Sequence, residues 1–445
     1  MNSLRRAGIL CLFAFFVAAS VWAGDVSLSF QYSTIKNYGT IEQMQRRASA
    51  EDRLINSEDG KHAYLVRSVP VRDEAHLLQL MGAANESALS DLQKGLLASY
   101  RFSANQQLVE LKQRFPGKEG SIFVDLIDIN GYTDTAKYPD IVEDFWPNNS
   151  RLVSYDEDGA SVESRIRITG SDLIGYGPST AQAMQKTFAH EFGHSLDLTE
   201  VAANSYGHDG SHYINEKIDE PASFAEGFAN FIMMLFFPDE EETYRYNLRT
   251  IKIEKPEGGY DEYKISEKML KGEEYLNVEA VNALIFTKMA AELPNGRNLV
   301  LDSFQRHNNR SNRMALFLKN FISDYPQQGE KVAAILDRET FGHLTAEQMT
   351  GILGNSSGVQ SYLQKRSENG SAEVSSVEPA QPPVAREVPE TSGKNRIYKW
   401  YDEDGNVHFS GQPPTDGREY TIITSQPQKP VRIENVGSDN PFDLR

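Results

Sequence analysis

Residues 181–197 read AQAMQKTFAHEFGHSLD, and the fold turns on how this stretch is placed. Met184, Phe188, Phe192 and Leu196 recur every fourth residue, which on an α-helix makes one apolar stripe able to back onto a core. His190 and His194 share that spacing on a different face, so their imidazoles stand one above the other. Two imidazoles placed in this way can hold one zinc ion, and Glu191 beside them can reach a water on it. The pattern HExxH also arises by chance on surface helices, but a helix with an apolar backing is not a surface helix on all sides.

Outward from this segment the chain reads as an α+β protein. Upstream, Ser121 to Asp128 (SIFVDLID) has the composition of a buried strand. Ser164 to Thr169 (SRIRIT) alternates apolar and polar residues, as a half-exposed strand does. Gly175 to Pro178 is a loop, with Ser179 or Thr180 available to cap the helix that follows. Farther upstream, Asp91 to Phe115 reads as one long helix closed by Pro116 and Gly117. Downstream, Pro221 to Phe237 reads as a second helix, and helical periodicity returns over Asn277–Leu293, Arg313–Asp324 and Gln328–Ile335.

A catalytic zinc site uses three protein ligands and leaves one position open. The chain's single cysteine, Cys11, lies in the N-terminal apolar stretch, so the remaining donors are histidines and carboxylates. Four carboxylates compete for the third place: Asp197, Glu200, Glu220 and Glu226. Glu220 precedes Pro221, a position suited to starting a helix. Glu226 is the best candidate. Ala222, Ala225, Gly227 and Ala229 surround it with small side chains that let two helices approach closely, and Asn230 follows one turn later, able to orient a histidine.

HEFGH at 190–194 followed by FAEGFANF at 224–231 resembles the gluzincin metallopeptidases. The Glu-Gly-Phe-Ala string at 226–229 resembles the third-ligand helix of aminopeptidase-N-like enzymes; HEFGHSLD and FAEGFA also resemble anthrax lethal-factor-like peptidases. Over roughly residues 160–240 the resemblance implies a zincin-like fold, one Zn2+ held by His190, His194 and Glu226, and peptide hydrolysis with Glu191 as general base. It departs from those families in two ways. Thirty-one residues separate His194 from Glu226, and Ala222 occupies the place from which lethal-factor-like enzymes draw their ligand. Such enzymes stabilise an oxyanion with a tyrosine or histidine; Tyr213 is the leading candidate, with His212, His208 and Tyr206 beside it.

The formal charge of −18, with no cluster of Lys and Arg, argues against a nucleic-acid partner. Residues 1–23 read as a signal peptide: Arg5 and Arg6, an apolar run from Ile9 to Ala19, then Val21-Trp22-Ala23. No later stretch is apolar enough to span a bilayer, so the expected location is periplasmic or secreted; a peptide or protein substrate is what the metallopeptidase resemblance implies. The expected layout is an N-terminal α/β region at 24–160, a catalytic and helical region at 161–365, a disordered linker at 366–394 and a β-hairpin module with its tail at 395–445. The linker is rich in Ser, Glu, Pro, Ala and Gly and has too few apolar residues to offset its ordering entropy. In the module, Tyr398, Trp400, Val407 and Phe409 flank Asp404-Gly405, a hairpin signal, and the pattern resembles a small domain of unknown function in exported proteobacterial proteins. A non-catalytic envelope binding protein with the same fold, or a zinc amidase acting on cell-wall peptides, is the competing reading.

Overall fold

The computed structural model describes residues 28–369, except 58–59, 116–121, 130–131, 133–136, 139–140, 142–144, 146–147, 157–158, 171–179, 197–209, 256–258, 266–269 and 308–312, together with 397–401, 407–410, 421–423 and 431–433. The signal segment, the loop at 175–178 and most of the linker lie outside the described residues.

A six-stranded sheet forms the first layer. Its strands are β1 (Leu28–Thr40), β2 (Asp52–Asn56), β3 (His62–Pro70), β4 (Ile122–Asp128), β5 (Asn148–Asp156) and β6 (Gly159–Gly170), in the order β2-β3-β1-β4-β6-β5. β1, β4 and β6 run parallel, while β3 and β5 are antiparallel to their neighbours β1 and β6. β4 is central, covered on both faces, and buried at six of its seven positions, which is why it reads as a continuous apolar run rather than an alternation. Its mid-strand charge, Asp125, is paired with Arg53 and accepts a hydrogen bond from Ser33.

β6 is flanked by β4 and β5, so Ser164–Thr169 is an interior strand and the sheet edge belongs to β5. The alternation is real: Ser164, Ile166 and Ile168 are buried, while Arg165 and Arg167 are partly exposed. Alternation reports that a strand's two faces differ, however, and carries no information about its neighbours within the sheet. The expected long helix from Asp91 to Phe115 is two helices, α1 (Asp91–Phe102) and a shorter one over Gln106–Arg114. The break falls at Ser103-Ala104-Asn105. The Ser103 hydroxyl donates to the Tyr100 carbonyl at 2.6 Å, and extended Asn105 accepts from the Gln107 amide at 2.9 Å, starting a new helix.

Three further helices build the layers behind the sheet: α2 (Thr180–Leu196), α3 (Glu220–Phe236) and α4 (Glu279–Glu292). α2 packs against β6 and α1 on one side and α3 on the other, and α3 packs against α4. Met184, Phe188, Phe192 and Leu196 are all buried, and one core runs from Val124 and Ile166 through Phe188 to Phe228, Phe286 and Phe317. Residues 24–160 and 161–365 therefore share a sheet and a core, and the division expected between them runs through β6. Five later helices, from Gly296–His307 to Ser357–Asn369, complete this part. The last continues beyond residue 365, where Arg366 donates to the carbonyls of Leu344 and Gly342 at 2.9 and 3.0 Å. No described helix is long and apolar enough to cross a membrane.

Between α2 and α3, β7 (Gly210–His212) pairs with a distant segment, 431–433, whereas in the C-terminal region 397–401 and 407–410 form an antiparallel pair with Tyr401 opposite Val407. A third strand, 421–423, lies on the other side of 397–401.

Two glycines set the distances between the buried helices. A Cβ on Gly193 of α2 would lie 2.7 Å from the Ala229 Cα of α3, and one on Gly227 of α3 would lie 2.5 Å from the Asn282 Cβ of α4. Neither contact is sterically possible without moving backbone. Gly227→Ala should thus be net destabilising by about 1–3 kcal/mol from overpacking, even though alanine favours a helix interior by about 1 kcal/mol. Chemical denaturation measures this; a variant as stable as the parent would refute the tight packing.

Candidate metal centre

α2 carries His190 and His194 into the interior, and α3 brings Glu226 to meet them. Glu226 Oε2 is 3.1 Å from His190 Nε2, Glu226 Oε1 is 3.1 Å from His194 Nε2, and the two Nε2 atoms are 3.1 Å apart. The rings are not parallel: they meet at 88°, edge to face, so that both Nε2 atoms converge on the carboxylate. Glu191 joins the cluster, with a carboxylate oxygen within 4.8 Å of both histidine donors. His190, Glu191 and Glu226 are buried, while the His194 side chain is 15% exposed, so solvent meets the cluster on the His194 side.

These distances suit a small tetrahedral ion. Donors about 2.0–2.1 Å from zinc at tetrahedral angles stand about 3.3 Å from each other. Glu226 Oε2 is also a buried acceptor with no well-aligned hydrogen bond, despite His190 Nε2 nearby. Nitrogen lone pairs and the Glu226 carboxylate converge here. A buried donor set of that kind could hold a cation.

Burial disfavours a charged His190, but Glu226, Glu191 and Glu279 around it push its pKa up to about 9. Burial would also raise Glu226, yet the two histidines hold it well below the ordinary glutamate value. The proton on the imidazole and the charge on the Glu226 carboxylate thus stabilise each other.

Asn230, one turn beyond Glu226, places Oδ1 2.8 Å from His190 Nδ1. Glu220 is elsewhere: its carboxylate is half-exposed and pairs with Arg313 at 3.1 Å, and Asp219 rather than Glu220 caps α3 by accepting from the Ala222 amide at 2.9 Å. Tyr213 lies with Lys252 Nζ 3.2 Å from its ring centre and Tyr260 edge-on at 5.3 Å, and no described contact joins it to the histidine pair. Asp197, Glu200, Tyr206 and His208 lie outside the described residues, as does the side chain of His212.

Sequence reasoning missed Glu279 and Tyr244. Both are buried, and Glu279, Glu240 and Glu226 add to burial in raising Tyr244 well above the ordinary tyrosine value. The available signal was a carboxylate opening α4 directly before the mostly apolar run Ala280–Phe286.

Residues 391–433 match the family described as Domain of unknown function (DUF4124), a bacterial envelope-associated domain. No curated protein and no solved structure matches the chain.

Two outcomes follow from this geometry. Glu226→Ala should abolish stoichiometric zinc in purified protein, whereas Glu220→Ala should keep it, losing only an exposed ion pair worth about 0–1 kcal/mol; metal analysis decides, and the reverse pattern would move the third ligand to Glu220. Because His190 must lose its proton to bind metal, zinc affinity should rise about tenfold per pH unit up to about 9 and level off above. Titration calorimetry in two buffers should detect the released proton, and a flat profile from pH 6.5 to 8 would contradict it.

Proposed function

We propose that this chain is an exported zinc-dependent peptidase, with His190, His194 and Glu226 as metal ligands and Glu191 as general base. The observation that carries the reading is the equal 3.1 Å spacing of two imidazole nitrogens and a buried carboxylate. Glu191 is intact beside His190, which favours catalysis over metal binding alone.

The order of elements supports a zincin-like fold: an antiparallel edge strand, β5, a hairpin into β6, then the helix with both histidines. Among the described residues no strand pairs with the outer side of β5. An extended peptide added there would gain main-chain hydrogen bonds without its sequence being read. The DUF4124 match and the N-terminal apolar stretch support a periplasmic or secreted location.

A zinc ion in this donor set would lower the pKa of a water to about 7 and polarise the scissile carbonyl. The protein's own contribution is the handling of protons. Glu191 is buried next to His190, where it can take the proton of the attacking water and release it to the departing amine. The aromatic layer behind, Phe188, Phe192 and Phe228, keeps bulk water from the rear of the cluster.

Glu191→Gln should keep zinc and the native melting temperature yet lose roughly 10²–10⁴-fold in hydrolysis, because an amide cannot accept the proton. A broad peptide library read by mass spectrometry tests this. If the parent cleaves nothing, or the variant cleaves equally well, the chain is a metal-binding protein and not a peptidase.

A further inference from the structure

We propose that Glu279 is a positioning residue for the metal centre: it orients the Asn230 amide and thereby selects the tautomer of His190. The inference rests on the metal-centre reading above.

Asn230 is buried between two groups. Its Nδ2 donates to Glu279 Oε1, and its Oδ1 faces His190 Nδ1 at 2.8 Å. A side-chain amide has one donating end and one accepting end. A carboxylate accepts, so Glu279 selects the donating end, and the carbonyl oxygen is left for His190. That oxygen can only accept, so His190 Nδ1 carries the hydrogen. In a neutral imidazole the other nitrogen, Nε2, then keeps its lone pair, directed at His194 and Glu226. Flipping the amide would set its oxygen against the Glu279 carboxylate in a buried site, two acceptors with no donor between them.

The placement of Glu279 has its own physical basis. It is the first residue of α4, where backbone amides favour negative charge, and it is buried. The contact of Gly227 with Asn282, one turn along α4, draws that helix close enough to α3 for the carboxylate to reach Asn230. A carboxylate serving only the start of its own helix would have no need to reach a residue on α3.

The test compares zinc affinity, by competition with a chromophoric chelator at pH 7.5, in the full-length parent, Glu279→Leu and Glu279→Gln. Melting of each metal-free protein is recorded alongside. Glu279→Leu removes the acceptor and should bind zinc about 10–100-fold more weakly. Glu279→Gln retains an oxygen able to accept from Asn230 and should fall between parent and Glu279→Leu. A merely structural role would lower both melting temperatures and leave zinc affinity unchanged. Parental affinity in folded Glu279→Leu, or affinity in Glu279→Gln no better than in Glu279→Leu, overturns the proposal. If Glu279→Leu does not fold, Glu279→Gln decides alone, and affinity equal to the parent overturns it. A parent that binds no zinc removes the metal-centre reading and this inference together, which separates that failure from the others.

Discussion

Everything at the centre of this molecule depends on how near two helices come at Gly193 and Ala229. Backbone meets backbone there, with no room for a side chain on the α2 side. That approach sets the Glu226 carboxylate across from both imidazoles, and a residue larger than glycine at 193 would push the carboxylate out of reach. The second close approach, Gly227 on Asn282, ties α3 to α4 in the same manner. Gly193 thus serves the site from between the two histidines although it offers no donor atom of its own.

The electrostatics follow from that packing. Glu191, Glu226 and Glu279 are all buried within a small volume, a combination that proteins tolerate only with compensating positive charge or hydrogen bonds. The partner sets of Glu226 and Glu279 differ in kind. Glu226 faces two imidazoles, and Glu279 meets an amide and a helix start. The low dielectric that makes isolated carboxylates expensive also strengthens their attraction for a cation.

Much of the centre was legible in the sequence because it is written locally. The stripe from Met184 to Leu196 gives the buried face of α2, and the small residues around Glu226 mark a helix that another helix must touch. What could not be read depends on neighbours distant in the chain. Ile166 and Ile168 show that β6 has one buried face, but only pairing with β4 and β5 makes it interior. The end of α1 was hidden because Ser103 and Asn105 can sit in helices, and their local hydrogen bonds decide otherwise. Glu279 lies far along the chain from the residues it supports, and its role appears only when α3 and α4 are seen together.

The interior place of β6 has a bearing on how the chain acquires its structure. Leu28 lies opposite Ile122, and Ile122 opposite Ser164, so neither parallel pairing has a tight turn to bring its strands together. Parallel neighbours close long loops before any contact rewards them, and topologies of that kind fold slowly. The β1–β3 ribbon can form early, since its partners are near in sequence. The central strand β4, by contrast, has only one flank covered until Gly170 has been synthesised. During that interval an apolar strand with an open edge is exposed to other chains, so the early half of this protein is the stretch most in need of a chaperone's shelter.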